Sequence, residues 1–154
     1  ILQKNVTALR LAILLQFFLP GVPCLYYGDE LGLAGNHDPD NRAAIPWQAE
    51  QHWNHSLRDY IKQLLGLYHQ HPALRRGVFK PLYAKGKMVV LERKLDNNHA
   101  VVIVNAEDSS LPLNIPITAK DASYQDALSQ QVLQVKNQHL LGEVRASSGL
   151  LLVL

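Results

Sequence analysis

The chain has 154 residues, 47% hydrophobic and 18% charged, a composition that suits one good core or two small ones and leaves little room for disorder. Its formal charge of +2, without a basic run or a basic helical face, gives no case for nucleic acid or an anionic membrane as partner. The single cysteine, Cys24, excludes an internal disulfide; in its apolar setting it reads as a small buried thiol, and a cytoplasmic location is expected.

Residues 1–19 lack strand alternation and carry only a thin polar stripe, Gln3, Thr7 and Arg10, so a helix with neighbours on several sides is expected. Its most apolar part, Leu11 to Leu19, contains Gln16 and stops at Pro20, well short of the roughly 20 residues that span a bilayer. The chain starts at Ile1 inside this pattern, with neither an initiating Met nor a leader, so a longer parent protein is expected. Pro20-Gly21 breaks the helix, and Val22 to Tyr27 predicts a strand buried on both faces of a parallel sheet.

From Gly28 to Asn54 neither period is present, and Gly, Asn, Asp and Pro recur. A loop of this length within a compact unit is usually functional, and Trp47 and Trp53 argue against disorder. Asn54 or Ser56 caps a second helix with the stripe Leu57, Tyr60, Ile61, Leu64, Leu65 and Tyr68, which ends at His71-Pro72. After Gly77 β-branched residues dominate and turn signals recur at short spacing, the rhythm of an antiparallel sandwich. A hairpin around Asp96-Asn97-Asn98 and a closing strand from Gly149 to Leu154 are expected. The expected organisation is residues 1–74 in an α/β unit and 75–154 in the sandwich.

Polar chemistry concentrates between Tyr26 and Trp47, at the C-terminal end of the predicted strand, where α/β enzymes place their sites. Carboxylates, an arginine and aromatic rings suit sugars: charged groups hold hydroxyl pairs and ring faces cover the C–H side. The competing reading is an Asx-type turn at Asp38-Pro39-Asp40-Asn41. Asp29 with Glu30, and Asp38 with Asp40, lie too close in one loop to flank a scissile bond from opposite faces, so no catalytic pair is assigned. His52, His55, His69 and His71 lack zinc spacing, and Asp38-Pro39-Asp40 lacks the later glycine and glutamate of a calcium loop. No metal site and no cofactor are expected.

The run from Leu14 to Trp47, with Pro-Gly-Val-Pro at 20–23, Tyr-Tyr-Gly-Asp-Glu at 26–30 and Gly-Asn-His-Asp-Pro-Asp-Asn-Arg at 35–42, resembles the end of the α-amylase-family barrel. It is most similar to the maltodextrin glucosidase, cyclomaltodextrinase and neopullulanase branch. The resemblance implies the seventh helix, eighth strand, eighth loop and final helix of a (β/α)8 TIM barrel, followed by an antiparallel β-sandwich C-terminal domain. It implies that Asp38 and Arg42 hold glucose hydroxyls on the non-reducing side, and that residues 26–30 shape the barrel mouth.

The family's nucleophilic Asp, acid/base Glu and stabilising Asp would all lie upstream of Ile1. The whole protein would cleave α-glucosidic bonds with retention, and this piece alone would not. The implied partners are an α-glucan or maltodextrin substrate and the remainder of the barrel or a second copy. The alternative is a non-catalytic β-sandwich that binds carbohydrate or another protein; Phe79, Tyr83 and Tyr124 are the only aromatics it offers for stacking.

Overall fold

A computed structural model describes residues 5–33, 35 and 37–154. The first four residues of the predicted opening helix, and Ala34 and Asn36 of the loop, lie outside the described residues. Three helices, α1 (Val6–Phe18), α2 (His55–Gln70) and α3 (Pro72–Arg76), precede eight strands. These are β1 (Val78–Lys85), β2 (Met88–Leu95), β3 (Asn98–Asn105), β4 (Leu111–Pro116), β5 (Ala122–Gln125), β6 (Val132–Lys136), β7 (His139–Val144) and β8 (Ser148–Val153).

Both long helices start where a side chain can accept an orphan amide. Asn5 Oδ1 accepts from Ala8 N–H at 3.0 Å, and Asn54 Oδ1 accepts from Leu57 N–H at 3.0 Å. Helix α2 buries Leu57, Ile61 and Leu64, while Leu65, placed on the predicted stripe, is exposed. Pro72 does not simply end α2: it opens α3 as its first residue, where its missing N–H costs nothing.

The strands form two four-stranded antiparallel sheets, ordered β1-β2-β3-β8 and β4-β7-β6-β5. Leu95 pairs with Asn98, so Asp96-Asn97 is the hairpin turn, with Asp96 at φ 50. Prolines fall where a ladder can lose a donor: Pro81 on edge strand β1 beside a register shift, Pro112 and Pro116 on edge strand β4.

Between the sheets Val90, Val101, Ile103, Leu150 and Leu152 meet Leu113, Ile115, Leu133, Val135 and Leu140. The opposite face of the first sheet is also apolar: Leu91, Ala100, Val102, Val104 and Leu151 pack under Leu11, Leu14, Phe17 and Phe18 of α1, Leu57 and Leu64 of α2, and Leu74 of α3. Strand β3 is therefore covered on both sides, which explains its unbroken apolar run.

The strand predicted at Val22 to Tyr27 does not form. A strand of a parallel sheet needs a neighbouring strand to hydrogen-bond with, and the described sheets are antiparallel and begin at Val78. Val22 is accordingly 88% exposed. Cys24, expected to be buried, is exposed for the same reason, and its carbonyl accepts from Gln16 Nε2 at 2.5 Å.

Candidate functional site

The segment after Pro20-Gly21 turns at Gly28, whose φ of 89 admits glycine readily and whose missing Cβ leaves room for Leu33 Cδ1, 2.9 Å from where a Cβ would stand. The Gly28 carbonyl accepts from both Leu31 and Leu33 N–H. Asp29 Oδ2 accepts from Tyr26 N–H at 3.3 Å and Glu30 Oε2 from Gly28 N–H at 2.9 Å, so both carboxylates close the turn that contains them. Burial pushes the Asp29 carboxyl above its ordinary value, opposed by its backbone hydrogen bond. Tyr26 and Tyr27 pack with ring centroids 4.7 Å apart and both remain exposed.

The loop then makes 3-10 turns at Asp40–Arg42 and Trp47–His52. Asp40 N–H donates to the His37 carbonyl and Arg42 N–H to the Pro39 carbonyl, at 2.8 and 2.9 Å. This turn brings together the two residues implied by the resemblance: Arg42 Nη2 lies 3.2 Å from Asp38 Oδ2, with the side chains 69% and 60% exposed. The Arg42 charge also reaches Tyr27: desolvation and Tyr26 raise the Tyr27 hydroxyl, and Arg42 pulls it down.

At the far end of the loop Trp47 is 68% exposed and meets buried Trp53 edge-on at 5.7 Å. The Arg58 guanidinium lies over the Trp53 ring at 5.8 Å, and Asn54 N–H donates to the Leu31 carbonyl at 2.9 Å, so the loop closes on the start of α2. A shallow groove of about 380 Å³ runs between the turn and α2, lined in part by Tyr26, Tyr27, Glu30 and Arg58. Among the described residues no three His, Cys, Asp or Glu side chains converge on a metal position.

Among the described residues, the buried polar groups that escaped the sequence reading include a histidine–glutamate pair and an arginine. His99 Nε2 donates to Glu92 Oε1 at 2.8 Å between the sheets, and burial holds the imidazole below its ordinary value against the pull of Glu92. Arg93 lies on the opposite face of the same sheet, only 3% exposed. The available signal was a charged residue interrupting an apolar strand, at 92 and 93 on β2.

No protein-family model matches the chain. It is similar to a cyclomaltodextrinase of Geobacillus thermopakistaniensis, 36% identical over 118 residues that take in 75% of this chain and 20% of that protein. An amylopullulanase of Thermoanaerobacter thermohydrosulfuricus is 30% identical over 161 residues, covering 96% of this chain and 11% of that one. Among solved structures, an Anoxybacillus α-amylase superimposes with a TM-score of 0.87 at 27% identity, over 96% of this chain and 32% of that one. The chain thus spans from about a tenth to a third of the length of these proteins.

Proposed function

This chain belongs to the α-amylase family of glycoside hydrolases, and on that premise we propose that it completes the catalytic barrel and carries the terminal sandwich of an enzyme that hydrolyses maltodextrins with retention. Residues 1–74 supply the barrel's last unit, in which the segment 22–27 takes strand form once the neighbouring barrel strands are present, and residues 75–154 are the C-terminal β-sandwich. The bond-cleaving carboxylates come from the rest of the barrel. A retaining pair must face the scissile bond from both sides about 5 Å apart, whereas Asp29 and Glu30 are engaged by their own turn. The exposed apolar segment at 22–27 suits docking of the neighbouring barrel strands, supplied by the remainder of the protein. A cytoplasmic setting is part of the same proposal, since it keeps the exposed Cys24 thiol reduced.

In this reading Asp38 and Arg42 hold sugar hydroxyls on the non-reducing side. The observation that carries it is their ion pair at 3.2 Å with both side chains more than half exposed. An exposed pair contributes at most about 1 kcal/mol to the fold, so these groups are free to exchange one another for a ligand. The carboxylate accepts from hydroxyls, and the guanidinium donates in a fixed fork. The sandwich is read as a structural partner, since Phe79, Tyr83 and Tyr124, its three aromatic rings, are all half-buried.

The test is Arg42→Ala and Asp38→Ala in the protein with its complete barrel, assayed on maltotriose and on a short aryl α-glucoside. Each substitution is expected to lower kcat/KM for maltotriose by roughly ten- to a hundredfold, with a smaller effect on the short substrate. An unchanged kcat/KM accompanied only by a lower Tm would leave the pair as a loop staple.

A further inference from the structure

We infer that Arg93 is a positioning residue through which the sandwich fixes the end of α1, and with it the course of residues 20–33 into the Asp38–Arg42 loop. That the loop binds sugar rests on the function proposed above; the positioning itself rests on geometry. Arg93 projects from β2 towards the helices. Its Nη1 donates to the Phe18 and Leu19 carbonyls at 3.1 and 3.2 Å, and its Nε and Nη2 to the Gly77 carbonyl at 3.3 and 3.1 Å. Among the described residues no carboxylate stands at ion-pair distance from it. This buried cation is held by main-chain oxygens alone.

Those oxygens are the ones a helix leaves unpaired. The last carbonyls of α1 have no intrahelical donor and carry the negative end of the helix dipole, and α1 has no basic residue in its own last turn. Arg93, 75 positions away along the chain, supplies the cation and the donors together. Its second contact, Gly77, is packed against the neighbouring strand: a Cβ there would stand 2.5 Å from the Ala73 carbonyl oxygen and 3.0 Å from Lys94 N. One planar fork therefore joins the exits of α1 and α3 to the sheet. A point charge such as lysine cannot satisfy all three carbonyls with fixed orientation.

The consequence passes along the chain. Leu19 is followed directly by the Pro20-Gly21 turn, Gln16 holds the Cys24 carbonyl, and the far end of the segment is tied where Asn54 N–H meets the Leu31 carbonyl. Residues 20–33 run between two anchored ends, and Arg93 is the anchor at the first.

Hydrogen exchange on the 154-residue chain tests this, using Arg93→Lys and Arg93→Met. The amides of Leu19, Asp29, Leu31 and Leu33, each hydrogen-bonded within this region, are expected to exchange roughly tenfold faster in Arg93→Lys, while β3 and β8 stay within about twofold of the parent. Arg93→Met is expected to exaggerate the same local pattern. If Arg93→Met does not fold, Arg93→Lys decides alone. Uniform acceleration across strands and segment would reduce Arg93 to a general stability residue and overturn the inference, as would unchanged rates at the four amides. No sugar enters this assay, so loss of the clamp reading, shown by Arg42→Ala with unchanged kcat/KM, leaves its result intact.

Discussion

Leu14→Ala is expected to loosen the helices from the sandwich and to unfold both together at a lower temperature. Leu14 is 1% exposed at the centre of the α1 face. Its side chain lies over β8, where Gly149 has no room for a Cβ: one would stand 2.6 Å from Leu14 Cδ2 and 3.0 Å from Leu11 Cδ2. Truncating a buried leucine costs about 2–5 kcal/mol, more where the site cannot collapse. A small void of about 10 Å³ already lies among Leu14, Phe17, Phe18, Leu64, Leu74 and Leu151, and a loss in the middle of that range, ~3–4 kcal/mol, is expected. For a chain of this size that corresponds to a fall in Tm of roughly 6–16 °C.

Gly149→Ala alone overpacks the same contact and should cost ~1–2 kcal/mol. The double variant should be more stable than the sum of the two losses by about 1 kcal/mol, because the new methyl occupies part of the space Leu14 vacates. The assay is thermal unfolding followed both by far-ultraviolet circular dichroism and by tryptophan fluorescence; Trp53 is buried near the start of α2. Strict additivity, or a Leu14→Ala transition in which only one probe shifts, would refute the claim that helices and sheet share one core.

Asn54→Ala removes the cap of α2 and its bond to Leu57 N–H, for an expected loss of about 1 kcal/mol by chemical denaturation. Because burial lowers the His99 pKa, the unfolded chain binds that proton first. Stability should therefore be at its plateau above about pH 6.5 and decline as pH falls from there through the lower folded pKa. His99→Gln should flatten that part of the stability–pH curve, and an unaltered slope would remove His99 as its cause.

What the sequence made legible were the features determined locally. The cap at Asn54 acts within one helical turn, the Asp96-Asn97 hairpin within two strands, and the sandwich follows from short strands with recurring turns. Residues 22–27 were misread because an apolar run encodes a strand only where neighbouring strands exist to pair with it. The outer-face burial of Val102 and Leu151 was hidden for a related reason: a run apolar on both faces does not reveal what covers each. For Arg93 and the Glu92–His99 pair the charged residues in β2 were visible but their roles were not, because their partners lie on other elements and a charged residue in a strand does not announce whether it faces water or another chain segment. Asp38 and Arg42 stood out by motif, and their proximity required the 3-10 turn at Asp40–Arg42 to be seen.

In the function proposed above, this loop contributes sugar contacts and no bond-breaking groups. That reading is tested most directly by incubating the purified 154-residue chain with maltotriose and following release of glucose. No turnover above a mock purification is expected, since one loop without an opposed carboxylate pair cannot supply both a nucleophile and an acid. Turnover that Asp38→Ala abolishes would contradict that reading, because catalysis would then reside in the loop itself.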